Sequence, residues 1–299
     1  MKLVFTSIVP LMYTMSRAQT ERQRKGYRYA TKAMRPRSSP MLALQHLLAY
    51  YDLVKSNSDS LELMHYAEDL KEPFQGGKTG FLIAIEGAEA LEDVEDLNLF
   101  YKLGLRSLQL TWNFDNRYSA SCMSKKDYGL TGDGESLLEL CNELGVIMDL
   151  AHASRKATTE ALGLSRLPVI VSHSNARGVY DHVRNLADEE LEMLKRNGGV
   201  VGVDLIGPTI AERASIRSLA EHIMYIRNSF GSDVIAIGTD FFGLLSADPP
   251  EGLEDITRLG KLWDELLGKG LSEEEIEKIS YRNALRVIER NAASWEKDE

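Results

Sequence analysis

The chain has 299 residues, 43% of them hydrophobic, enough to bury a large core as one α/β barrel or as two smaller domains. A formal net charge of −10 and a pI near 5.3 leave no basic excess to neutralise phosphates, which argues against nucleic acid as a partner. The apolar opening is too short for a membrane span and closes on no small-x-small cleavage pattern, while Cys122 and Cys141 stand outside any CxxC pair, so the expected setting is a reducing cytoplasm with no membrane partner.

In chain order, β-rich runs at 3–9, 81–86, 105–111, 146–150, 168–172, 200–205 and 234–237 alternate with longer segments of helical pattern. Most of the runs are continuously apolar, as strands covered by helices on both faces require, and the pattern predicts a parallel α/β fold. Ser39-Pro40 opens a helix over 41–54, Asp133 opens one that ends near Leu144-Gly145, and helices over 88–103 and 186–197 stop at Gly104 and at Gly198-Gly199. With no low-complexity linker and no fixed-period repeat, a single domain over residues 1–299 is the simplest reading. Seven strands are one short of a closed (β/α)₈ barrel, so either a strand is missing before residue 3 or the sheet is open and doubly wound.

In both architectures the active site gathers at the carboxyl ends of the strands, so polar residues that close apolar runs are candidates. Phe81-Leu-Ile-Ala-Ile-Glu ends at Glu86, Val146-Ile-Met-Asp-Leu-Ala-His at His152, Val169-Ile-Val-Ser-His at His173, and Val234-Ile-Ala-Ile-Gly-Thr-Asp at Asp240. One such residue is unremarkable in a loop. Two of the chain's six histidines and two carboxylates at equivalent strand ends form the nitrogen and oxygen set that Zn²⁺ and similar metals prefer, and they predict a hydrolytic metal site. His46, His65 and His222 lie in helical patterns and read as surface or packing residues, and His182 reads as a supporting residue of the loop after His173.

At these residues the sequence resembles the membrane dipeptidase (renal dipeptidase) family of zinc peptidases. Eight collinear stretches carry the resemblance: Ala84-Ile-Glu-Gly, Leu110-Thr-Trp-Asn, Gly129-Leu-Thr, Asp149-Leu-Ala-His, Val171-Ser-His-Ser-Asn-Ala-Arg, Asp181-His-Val-Arg-Asn-Leu, Asn197-Gly-Gly-Val-Val and Gly238-Thr-Asp-Phe-Phe-Gly. The resemblance implies a (β/α)₈ TIM barrel of the metal-dependent hydrolase type, with two zinc ions per chain bridged by a carboxylate and a hydroxide. It implies hydrolysis of dipeptides, including some with a C-terminal D-residue, and a homodimer is compatible with it. It also implies Glu86 as the bridging carboxylate, His152 and His173 as metal ligands, Asp240 as the acid/base group, and Arg184 as the clamp on the substrate's terminal carboxylate. Arg177 matches that last position less well.

Two departures qualify these expectations. The family's first strand ends in a His-x-Asp pair that supplies the other metal, and this chain contains no His-x-Asp. The missing strand and the missing pair share one explanation, a sequence that starts inside the family domain. Either the start lies too far downstream, or the chain is a natural variant that holds one metal at most. Trp112 stands where the mammalian enzymes place a histidine; its indole N–H can donate a hydrogen bond to substrate but cannot titrate. Phe242 removes a carboxylate near Asp240. The rival expectations are a catalytically impaired barrel that binds a small amino-acid-like ligand, and an amidase acting on N-acyl amino acids.

Overall fold

The computed structural model describes residues 3–8, 39–71, 76–241, 244 and 247–295, which divide into two compact units, residues 1–108 and 109–299. In the first unit β1 (Leu3–Ile8) is followed by α1 (Ser39–Ser56), β2 (Leu61–Leu63), β3 (Thr79–Glu86), α2 (Asp96–Lys102) and β4 (Leu105–Gln109). Strand β3 pairs in parallel with β1, from Leu3 opposite Gly80 to Ile8 opposite Ile85, and with β2, from Leu61 opposite Thr79 to Leu63 opposite Phe81. Leu82, Ile83 and Ile85 are buried, and β3 ends at the half-buried Glu86.

Two departures from the sequence reading fall in this unit. The segment read as one helix over 88–103 is a short 3₁₀ turn at Ala88–Ala90 and then α2, because Asp96 Oδ2 accepts the backbone N–H groups of Glu92 (2.9 Å) and Asp93 (3.0 Å) and so starts the helix afresh. His65 lies past the end of β2 rather than in a helix. Its carbonyl accepts the buried Arg106 guanidinium through Nε (2.9 Å) and Nη2 (2.6 Å), so burial of that cation is compensated by backbone oxygens.

The second unit contains α3 (Gly132–Leu144), β5 (Ile147–Asp149), α4 (Arg155–Leu164), β6 (Ile170–Ser174), α5 (Asp188–Asn197), β7 (Val200–Val203), α6 (Gly207–Ile210), α7 (Ile216–Phe230) and β8 (Ile235–Ile237). Beyond β8 follow α8 (Leu259–Gly268), α9 (Glu273–Glu277) and α10 (Asn283–Ala292). Successive strands β5, β6, β7 and β8 pair in parallel, the βαβ pattern the alternation predicts. Thr131, rather than Asp133, caps α3 by accepting the Gly134 N–H at 3.1 Å, and Gly145 in left-handed backbone closes that helix.

The β6–β7 register slips by one residue between Val171 and Ser174, where β6 carries the extra residue. Such a bulge re-aims side chains, and here it spans Ser172 and His173. The neighbouring backbone is drawn in tightly: a Cβ built at Gly202 would lie 2.2 Å from the Ser172 carbonyl oxygen, and one at Gly238 would lie 1.6 Å from it. Only glycine fits at either place.

Candidate metal and substrate site

His152 and His173 leave the ends of two adjacent strands, β5 and β6, and both are buried. One carboxylate oxygen governs both backbones. Asp149 Oδ1 accepts the N–H of Ala151 (3.0 Å) and of Ser172 (2.9 Å), the residues immediately before the two histidines. His152 is held at a positive φ of 65°, a region few non-glycine residues adopt, and its carbonyl accepts the Cys122 N–H at 2.7 Å.

Each imidazole is anchored at Nδ1, His152 on Asn113 Oδ1 and His173 on Ser172 Oγ, both at 2.7 Å. The two Nε2 atoms face each other at 3.0 Å. Burial, with the nearby Arg184 guanidinium as the second cause, holds His152 well below the ordinary imidazole range, so its ring is neutral near pH 7. The donor set fits a cation: two nitrogens on one tetrahedral zinc at about 2.05 Å lie about 3.3 Å apart. Neutral imidazole is also the form a metal ligand requires.

Asp240, three residues past β8, also has a positive φ, of 48°, and its Oδ2 lies 3.9 Å from His173 Nε2. Trp112 packs its indole 6.1 Å from the His152 ring, centroid to centroid. Arg184 donates Nη2–H to the His173 carbonyl at 3.1 Å, while its buried Nε has no hydrogen-bond partner among the described residues. Arg184 and His152 share a cleft of about 140 Å³ with Arg177, Cys122, Asn185 and Glu190. Glu190 is buried, which raises its carboxyl to about 7, although its Oε2 accepts the Ala187 N–H at 2.8 Å.

The second unit thus brings together His152, His173 and Asp240, with Trp112 against His152 and Arg184 behind His173. Glu86 closes β3 in the first unit. Phe242 lies outside the described residues. His182 shapes the loop, its Nδ1 accepting the Arg184 N–H at 3.3 Å and its carbonyl accepting Arg177 Nη2–H at 3.1 Å.

Reading strand ends missed three residues. Asp204 closes the apolar run Val200–Val203 and carried the same signal as the others, whereas Asn113 and Asp149 stood inside quoted stretches without a role. Of the two roles read for His222, surface or packing, the structure shows the second. Fully buried on α7, it accepts the Ala176 N–H at Nδ1 (3.1 Å) and donates from Nε2 to the Ile210 carbonyl (3.0 Å).

Solved structures define the class. The chain superposes with a TM-score of 0.80 on an amidohydrolase from Pseudomonas aeruginosa, with 26% identity and 97% of each chain covered. It superposes at 0.82 on a metallo peptidase from Rhodobacter sphaeroides liganded with a phosphinate mimic of the dipeptide L-Ala-D-Ala, with 23% identity over 96% of this chain and 86% of that one. The fold is therefore the α/β barrel of the metal-dependent hydrolase type, as the sequence reading expects. The chain belongs to the membrane dipeptidase family, peptidase family M19, whose model matches residues 12–298. Dipeptidase tcpJ of Claviceps purpurea is 34% identical over 252 residues, 82% of this chain and 57% of its own length. The chain spans between about half and two thirds of the length of the curated relatives it matches.

Proposed function

We propose that the chain is a metal-dependent dipeptidase that takes zinc. The observation that carries this reading is the pair of buried imidazoles with Nε2 atoms 3.0 Å apart, in a member of a dipeptidase family. His152 and His173 supply the metal with two imidazole nitrogens. When bound, the metal supplies Lewis-acid polarisation of the scissile carbonyl and makes water acidic enough to attack near neutral pH.

The chain's own residues do the rest. Arg184 clamps the substrate's terminal carboxylate, for which its planar fork is suited and to which its Nε still has a proton to give. Asp240, beside the His173 ring, takes the proton of the attacking water and returns it to the leaving amine. Trp112 offers its indole N–H to the substrate. The cleft beside His152 holds a short side chain at the C-terminal position, and D-residues there are part of the proposal because the similar Rhodobacter structure is liganded with an L-Ala-D-Ala mimic.

A cytoplasmic setting is proposed from the two isolated thiols, both free; no helix among the described residues is long and apolar enough to cross a membrane. The test is metal analysis of the purified chain together with hydrolysis of a panel of glycyl and alanyl dipeptides, both L,L and L,D. Bound zinc with turnover abolished by chelation is expected. No tight metal and no turnover across the panel would leave a ligand-binding barrel as the better reading.

A further inference from the structure

We infer that Asn113 and Ser172 are positioning residues that aim the Nε2 lone pairs of His152 and His173 at one shared cation; the inference rests on the metal reading above. A neutral imidazole carries one proton, and either nitrogen can hold it. The Asn113 side-chain oxygen only accepts, so at 2.7 Å it places the His152 proton on Nδ1 and leaves Nε2 as the donor atom. Ser172 Oγ, also at 2.7 Å from His173 Nδ1, is a hydroxyl that can donate or accept, and it accepts the ring proton when His173 Nε2 serves as a metal ligand. The two Nε2 atoms face each other at 3.0 Å, a separation that one N–H···N hydrogen bond spans in the metal-free chain and that a shared cation would span by taking both lone pairs.

The anchors come from different places in the fold. Asn113 lies beyond the end of β4, while Ser172 lies within β6. Ser172 cannot drift: its N–H is held by Asp149, and Gly202 and Gly238 leave no room around its carbonyl. A ring freed from its anchor would turn or shift its proton to Nε2, and a protonated nitrogen is no ligand. Asn113 Oδ1 is a neutral acceptor, so a carboxylate in its place would strengthen the hydrogen bond and the ring's basicity.

Titration of the full-length, metal-free chain with zinc alone, followed by calorimetry, tests this in wild type, Asn113→Ala, Asn113→Asp and Ser172→Ala, with thermal melting of each metal-free form. The two alanine variants are expected to bind zinc about 10–100-fold more weakly while melting as the wild type does, and Asn113→Asp to bind at least as tightly as wild type. That opposite sign is what a purely structural role would not produce. Alanine variants that bind within twofold of wild type would overturn the inference alone. If an alanine variant does not fold, Asn113→Asp decides by itself, weakened binding overturning the inference. A wild-type chain that binds no zinc would overturn the metal reading and this inference with it.

Discussion

Two corners of the second unit hold buried histidines and use them in opposite ways. At the ends of β5 and β6, His152 and His173 are tethered through Nδ1 and turn their Nε2 atoms toward each other. Beside β7, His222 spends both nitrogens on backbone groups of Ala176 and Ile210, and Asp204 Oδ1 accepts Asn175 Nδ2–H (2.9 Å), Thr209 Oγ1–H (2.6 Å) and the Ile206 N–H (3.0 Å). The first corner presents atoms to a common point; the second ties a loop and a helix to the scaffold. A polar residue at a strand end therefore signals a site only when its own surroundings direct an atom toward a second such residue.

The sharpest way to break this contrast is to delete one histidine from each corner. His173→Ala is expected to weaken zinc binding by about 1000-fold or more and to abolish turnover with the fold intact, measured by calorimetry and circular dichroism. His222→Ala should leave zinc affinity unchanged and cost about 3 kcal/mol in urea unfolding, because it strands a buried N–H and a buried carbonyl and leaves a cavity. A folded His222→Ala protein that no longer binds zinc would erase the distinction.

Glu190 lies on the border, lining the cleft with His152 and Arg184 yet accepting a helix-cap hydrogen bond. Its carboxyl rises from 4.5 to about 7 on folding, so between those values the native state holds the proton that the unfolded chain has released. This group's contribution to stability is therefore fully present below pH 4.5 and is lost as pH rises toward and through 7, by about 3 kcal/mol at most. Glu190→Gln should flatten that slope in unfolding experiments at pH 5 and pH 8; an unchanged slope would show that the group is not the source. The smallest effect is expected for Arg184→Ala, an increase of about 10–100-fold in KM for free dipeptides with kcat little changed. An unchanged KM would remove its role as a clamp.

Much of the architecture was legible because strands covered on both faces must be continuously apolar. That rule located the runs ending at Glu86, His152, His173 and Asp240. It missed β2, since Leu61–Leu63 is too short to show a period, and it ran one helix through 88–103, where Asp96 captures the backbone N–H groups that would have continued it. It also left His222 between a surface and a packing role, because a helical pattern tells nothing of the loop carbonyl and amide lying across it.

Residue type and position along the strands were thus sufficient to name the candidate residues and the family. Which nitrogen of each ring faces the other, that Asp149 registers both histidines through the preceding amides, and that Ser172 is confined by two glycines from other strands depended on contacts across tens of residues. Local sequence sets periodicity and capping through neighbours three or four positions away, but the direction of a side chain at a strand end is set by partners that only the assembled sheet brings within hydrogen-bond reach.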